Sequence, residues 1–227
     1  MIPKHLLDNV IWHALSGPQA KFSIGTKQAR RYAPGFSPIV GFADVERPNF
    51  DELIPYCAPG EQFYCDGWSG AVPNGWRIDA ESTMFKMVWE NEPPGSDAPL
   101  DAVALERQHA SQALDLALLT RPGPFGLRTI ELGEYFGYFA GPRLVAMAGE
   151  RTHAGTLREI SGVCTHPDYQ GRGLARQLMT KLIRRQMRRN ETPFLHVKRD
   201  NGPALTFYRR MGFRDYKESV VRVVTRI

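Results

Sequence analysis

A glycine-rich hexapeptide, Gln170-Gly171-Arg172-Gly173-Leu174-Ala175, follows an apolar, strand-like run and opens a helical pattern, and no other segment limits the fold of this 227-residue chain as much. Leu174, Leu178, Leu182, Ile183 and Met187 recur at helical spacing, so the glycines fall at a helix's entry rather than at its end. The first N–H groups of a helix lack partners inside it and carry the positive end of its dipole. Glycine lets the backbone approach an anion closely. Strand, glycine turn and helix in this order predict an anion site made of peptide nitrogens.

The pattern around that turn is a mixed α/β layer. Residues 135–140 and 144–151 read as a hairpin about Gly141-Pro142-Arg143, residues 158–165 and 194–197 as further strands, and residues 203–211 as a helix before a last strand around 220–224. Residues 102–105 suggest a short strand and residues 110–119 an amphipathic helix. Earlier in the chain, residues 5–15 read as a helix stopped by Gly17-Pro18, with Leu6, Val10, Ile11 and Leu15 inward, and residues 36–42 and 83–89 as strands. The run Glu92-Pro93-Pro94-Gly95-Ser96-Asp97-Ala98-Pro99 interrupts the pattern and divides the chain into residues 1–98, a smaller α+β region with no chemistry-bearing motif, and residues 99–227. Trp12, Trp68, Trp76 and Trp89 read as core-filling aromatics ahead of pocket lining.

Composition narrows the function classes. With 42% hydrophobic and 23% charged residues the chain is globular, and no apolar run approaches the ~20 residues that cross a bilayer. The N-terminus shows no secretory pattern, which makes the cytoplasm the expected location and gives no membrane partner. Cys57, Cys65 and Cys164 form neither a CxxC pair nor a metal framework, so reduced thiols and no metal are expected, with Cys164 packed in a sheet. A net charge of +5 favours anionic ligands without choosing among them. Arg172, Arg176, Lys181, Arg184, Arg185, Arg188 and Arg189 gather on one helix; the first two are near enough to its start to meet phosphates, and the last four read as a solvated face opposing the dipole.

The hexapeptide resembles the acyl-CoA-binding signature of the GNAT N-acetyltransferase superfamily, in which Gln or Arg, two free positions, Gly, one free position, and Gly or Ala follow one another. Gln170, Gly173 and Ala175 satisfy it. Residues 158–169 look like the superfamily's fourth strand and following loop, and residues 193–197 and 201–213 like its fifth strand and last helix. The resemblance covers about half the chain and implies the GNAT acyl-CoA N-acyltransferase fold, of bacterial type with an N-terminal extension. In that fold the fourth and fifth strands splay, leaving backbone groups, here of Val163, Cys164 and Thr165, for the pantetheine arm to join as an added strand. It also implies that the pyrophosphate sits over the amides of Gly171, Arg172, Gly173, Leu174, Ala175 and Arg176. Asn201 resembles the residue that hydrogen-bonds the cofactor arm; preceding Gly202, it reads equally as a turn or helix-entry residue.

Acetyl transfer from a thioester to an amine requires a neutral amine, stabilisation of a developing oxyanion and a proton for the departing thiolate. Tyr208, one turn before Gly212-Phe213, resembles the family's proton donor, and a phenol of reference pKa about 10 beside a thiol of about 8.5 starts protonated at neutral pH. Glu159, at the start of the fourth strand, is the candidate general base, acting directly or through water, with a paired carboxylate as the equal alternative. His153 and His166 are weaker candidates, and His166 before Pro167 reads also as a turn cap. The backbone N–H near Val163 is the candidate oxyanion donor. The expected activity is acetyl-CoA-dependent N-acetylation of an amine by direct attack in a ternary complex. Two alternatives stand beside it: transfer from another acyl-CoA, and a noncatalytic basic module using its arginine helix on nucleic acid. The intact glycine turn and Tyr208 argue against the module. A strand edge left by the splay leaves room for a homodimer.

Overall fold

The computed structural model describes residues 4–95 and 102–227. A 3-10 turn (Lys4–Asn9) leads into α1 (Val10–Ser16), followed by β1 (Ser23–Gly25), β2 (Ala29–Tyr32), β3 (Ile39–Phe42), β4 (Gln62–Asp66) and the long β5 (Trp76–Trp89). After β5 come β6 (Val103–Ala104), α2 (Ala110–Thr120), β7 (Tyr135–Ala140), β8 (Arg143–Ala154), β9 (Leu157–Thr165), α3 (Leu174–Arg188), β10 (Thr192–Lys198), α4 (Gly202–Met211) and β11 (Phe213–Arg226). The strands form a mixed sheet ordered β1-β2-β3-β4-β11-β5-β10-β9-β8-β7-β6, antiparallel except for the β3–β4 and β9–β10 pairs. The mixed α/β layer read from the sequence is the architecture that forms.

Helices cover both faces. α3 lies on one face against β8, β9 and β10, while α1 and α2 pack on the other against β8 and, respectively, β3 and β9. On α3 the helical spacing does what the sequence requires: Leu178, Met179, Leu182 and Ile183 are fully buried against Ala146, Ala148, Ile160, Leu195 and Val197. At about 1.5–3 kcal/mol for each large apolar side chain buried, this face alone fixes the helix on the sheet. α4 begins at Asn201, whose side chain accepts from the Ala204 N–H, carries Pro203 in its first turn, and ends at Gly212 in a left-handed conformation, φ 118°. Among the described residues no helix is long and apolar enough to cross a membrane.

The division near residues 92–99, part of which lies outside the described residues, does not divide the sheet. β5 comes from before it, yet hydrogen-bonds β10 on one side, Phe194 opposite Val88 through Lys198 opposite Met84, and β11 on the other, Phe213 opposite Trp89 through Arg226 opposite Trp76. Met87 and Trp89 fill the core beneath α3, and Val88 fills the opposite core with Phe194, so each face of β5 is committed to the second half of the chain. β5 is a 14-residue strand whose last four residues are all buried. Trp68 and Trp76 are core residues of the N-terminal part, packed on Phe50 with ring centroids 4.9 and 5.1 Å away.

Residues 102–227 expressed alone should therefore expose the facing edges of β10 and β11 and aggregate. A full chain cleaved between residues 95 and 102 should stay associated through β5, as size-exclusion chromatography will show.

Candidate active site

β9 ends at Thr165, and a short 3-10 turn (Pro167–Tyr169) delivers the chain into the glycine turn. Gly171 and Gly173 adopt left-handed backbone at φ 75° and 77°, a conformation strained for residues with a Cβ. No heavy atom beyond the chain neighbours lies within 4 Å of where a Cβ on Gly171 would stand, so the ground before the turn is open. Gly173 caps α3 without a side chain, and the first bond into the helix runs from Gln177 N–H to the Gly173 carbonyl at 3.1 Å. The N–H groups of Leu174, Ala175 and Arg176 precede that bond and point out of the helix start, the arrangement that binds phosphate. Arg172 and Arg176 flank them, exposed, Arg172 resting 4.7 Å from the Tyr169 ring centre. Gln170 Nε2 donates to the Thr165 carbonyl at 3.3 Å and ties the turn to the strand.

Beside the turn, β9 and β10 part. Their parallel pairing is confined to Leu157 with Thr192, Arg158 with Pro193 and Glu159 with Phe194. Beyond that point β10 follows β5 and β9 follows β8. A bulge helps turn β9 away: the β8–β9 register breaks between Met147 and Gly149, and Gly162 stands at φ 61°. Past the bulge, His166 N–H donates to the Val145 carbonyl at 2.8 Å, so alternation along the ladder turns the backbone of Cys164 toward β8 and that of Val163 and Thr165 toward the gap. Of the three residues expected to offer backbone to a pantetheine arm, Val163 and Thr165 are thus oriented for it. Cys164 is not; its thiol is buried among the α2 residues, and burial pushes its pKa to about 12.

On the face away from α3, the parting strands hold a buried charged cluster. Glu159 Oε1 accepts from Arg151 Nη2 at 2.6 Å and lies 2.8 Å from His196 Nδ1; Oε2 accepts from Arg151 Nε at 3.1 Å and from Thr152 Oγ1. Burial would raise this carboxyl, but the charge of Arg151 and the hydrogen bonds from Arg151 and His196 outweigh it and hold Glu159 well below the usual carboxylate range. With both oxygens engaged, Glu159 is not placed as a direct general base, and the paired alternative is the one that forms. The N-terminal part braces the cluster. Gln19 donates to the Arg151 carbonyl at 2.7 Å and accepts from Tyr32, while Ser37 Oγ and Arg151 Nη1 both donate to the Pro124 carbonyl.

On the α3 side Tyr208 packs between Phe207 and Phe213, ring centres 5.3 and 6.2 Å away. Burial, with a smaller contribution from Cys164, pushes its hydroxyl to about 12 and keeps it protonated. Tyr208 and Val163 both lie partly buried at the edge of the core beneath α3. Asn201 Oδ1 is engaged in capping α4 at 3.2 Å. His166 accepts from the Asp168 N–H at 3.2 Å, the turn-cap role, and His153 lies 3.0 Å from the Gly155 carbonyl.

Comparison with known proteins fits this geometry. A family model described as FR47-like protein matches residues 135–223. The crystal structure of a putative acetyltransferase from the GNAT family of Novosphingobium aromaticivorans superposes with a TM-score of 0.89 at 31% identity, over 98% of this chain and 99% of that one. The chain belongs to the GNAT family. A GCN5-related N-acetyltransferase-like protein from Streptococcus suis shares the GNAT fold at 16% identity, with a TM-score of 0.61 over 95% of this chain and 92% of that one. The N-alpha-acetyltransferase RimI of Mycobacterium tuberculosis is 35% identical over 83 residues, 35% of this chain and 51% of that protein, so the match spans about half the length of this curated relative.

Within this GNAT chain the predicted residues fall into two groups. Gln170 to Arg176, Val163, Thr165 and Tyr208 surround the glycine turn and the opening, whereas Glu159 and Cys164 are turned to the other face. Two of the four distal arginines are ion-paired, Arg185 with Glu134 and Arg189 with Glu134, Glu150 and Glu191, while Arg188 is exposed as a solvated face requires. Sequence reasoning missed His196, whose signal was an ionisable residue between Leu195 and Val197 in the strand parallel to that of Glu159.

Glu159→Gln leaves buried Arg151 without its counter-charge and should cost about 3 kcal/mol at pH 7. Because the folded Glu159 is depressed below its unfolded value of about 4.3, its stabilisation is full above that value and fades as pH falls below it. Thermal unfolding should accordingly show the gap between wild type and Glu159→Gln narrowing from pH 7 to pH 3.5.

Proposed function

We propose that the chain is an acetyl-CoA-dependent N-acetyltransferase of the cytoplasm, acetylating an amine by direct attack in a ternary complex. The observation that carries this reading is the parting of β9 and β10 after Glu159 and Phe194, beside an uncapped helix start with two left-handed glycines. The residues fit the cosubstrate: peptide nitrogens of α3 and two arginines for a diphosphate, and the inward-facing backbone of Val163 and Thr165 for amide groups of the arm. When bound, acetyl-CoA supplies an activated acyl carbon and a thiolate leaving group.

The chain's own residues then divide the work. The Val163 N–H, turned into the gap, is the donor we assign to the developing oxyanion. Tyr208 stands at the same opening from the α3 side. With its hydroxyl at about 12 and an unperturbed thiol at about 8.5, complete proton transfer is uphill by about 5 kcal/mol, so Tyr208 acts first as a hydrogen-bond donor to the departing sulfur. The name of the mycobacterial relative puts peptide N-termini at the head of an acceptor panel that also holds lysine side chains and small amines.

Gly173→Glu puts a like charge and a strained left-handed residue where the diphosphate is assigned, and should weaken acetyl-CoA binding at least tenfold by calorimetry; undiminished affinity would refute the placement. Tyr208→Phe should lower kcat roughly 10- to 100-fold with acetyl-CoA affinity within about twofold, the split expected of a group acting on the leaving sulfur. The panel itself tests the activity, through release of CoA and the mass of the product.

A further inference from the structure

Two buried polar atoms near the charged cluster have no hydrogen-bond partner among the described residues: His196 Nε2 and Tyr135 Oη. Buried groups of this kind are rarely left unmatched, and near a substrate opening they mark where a ligand or an ordered water is received. The tautomer of His196 follows from its neighbour. Ionised Glu159 can only accept, so the 2.8 Å contact assigns a proton to His196 Nδ1; Nε2 meets no acceptor, a second N–H there would be an unmatched buried donor, and the neutral ring with a lone pair on Nε2 is the form that fits. The His196 side chain is 6% exposed and lies two residues past the last β9–β10 pairing, at the mouth of the gap. Tyr135, 2% exposed, lies flat on Gly149 with its ring also against Gly162 in the bulge of β9, and Phe125 closes over both.

We propose that His196 is the general base for the acceptor amine and that Glu159 is its positioning residue. This rests on the acetyl-transfer reading above. The acceptor enters on the face opposite α3, and His196 Nε2 takes a proton from its ammonium group directly or across one water. The N–H bond breaks, an Nε2–H bond forms, and the imidazolium is held by the Glu159 carboxylate. The freed lone pair makes the C–N bond as the thioester C–S bond breaks. The thiolate takes a proton at Tyr208, the nitrogen's second proton replaces that one, and the proton on His196 passes to solvent; the sum is ammonium plus thioester giving amide, thiol and one proton. The groups facing His196 suit this cycle. Lys86, its register partner on β5, is neutralised by Asp66 and donates to the Leu7 carbonyl; Arg151 on β8 is paired with Glu159; Tyr32 on β2 and Tyr135 on β7 are held neutral by burial. Glu159 thus supplies the carboxylate in direct contact with the ring.

The test combines kinetics with a readout that needs no turnover. His196→Asn, with His196→Gln as the alternative if the first does not fold, should keep acetyl-CoA affinity within about twofold, lose roughly 100-fold in kcat and lose the acid limb of the pH–rate profile. Nitrogen NMR of the labelled wild-type protein should show His196 protonated at Nδ1 and bare at Nε2 at neutral pH. A variant profile superimposing on wild type, or a proton on Nε2, overturns the assignment. If wild type binds acetyl-CoA but acetylates nothing in the panel, the proposed activity fails instead, and the tautomer still decides on the geometry of His196.

Discussion

Three paired positions hold β9 and β10 together, and the site depends on their being no more. A parallel pair would ordinarily continue, since each unpaired peptide group left inside a protein costs free energy. Here both strands have better offers. β10 is claimed along its other edge by β5, and β9 by β8 through a bulge that a left-handed Gly162 permits. The unpaired backbone between them is the consequence of two stronger ladders diverging. A substrate with amide groups can restore what the divergence forfeits, which explains how recognition proceeds with few side chains.

The apex of the opening carries the heaviest electrostatic load in the fold. Arg151 and Glu159 are nearly inaccessible, and such a pair survives burial only when every lone pair and proton is matched. Thr152 and His196 complete Glu159, while the Pro124 carbonyl accepts from the Arg151 guanidinium and the Gln19 side-chain amide donates to the Arg151 backbone carbonyl. The N-terminal part therefore supplies some of the partners of this cluster. Its residues 35–37 also hold the loop before the Thr129 turn, with Arg128 N–H bonded to the Gly35 carbonyl and Ser37 to Thr129.

Much of this was legible in the sequence. Helical spacing from Leu174 to Met187 and the two glycines before it located α3 and the anion site, because those features are local and steric. Strands over residues 135–165 were legible for the same reason. What was not local was lost: nothing in residues 76–89 announces that they lie between β10 and β11, and a proline-rich run nearby suggested a division instead. Glu159 was recognised with base and paired carboxylate as equal readings, and the choice stayed open because its partners Arg151 and His196 lie 8 and 37 positions away. The ion pairs of Arg185 and Arg189 were hidden for the same reason, because the acids that neutralise them belong to other elements.

The route of the chain through its sheet also governs how the protein is made. β5 leaves the ribosome more than a hundred residues ahead of β10 and β11, the strands that flank it. For most of translation a long strand thus waits with two bare edges, in the state most prone to pairing with a neighbouring chain. Closure must bring together residues more than a hundred positions apart, which makes folding slow and largely post-translational. Ordered assembly of this enzyme fold is a task for the finished polypeptide, and the cell's chaperones are its natural custodians until β11 is in place.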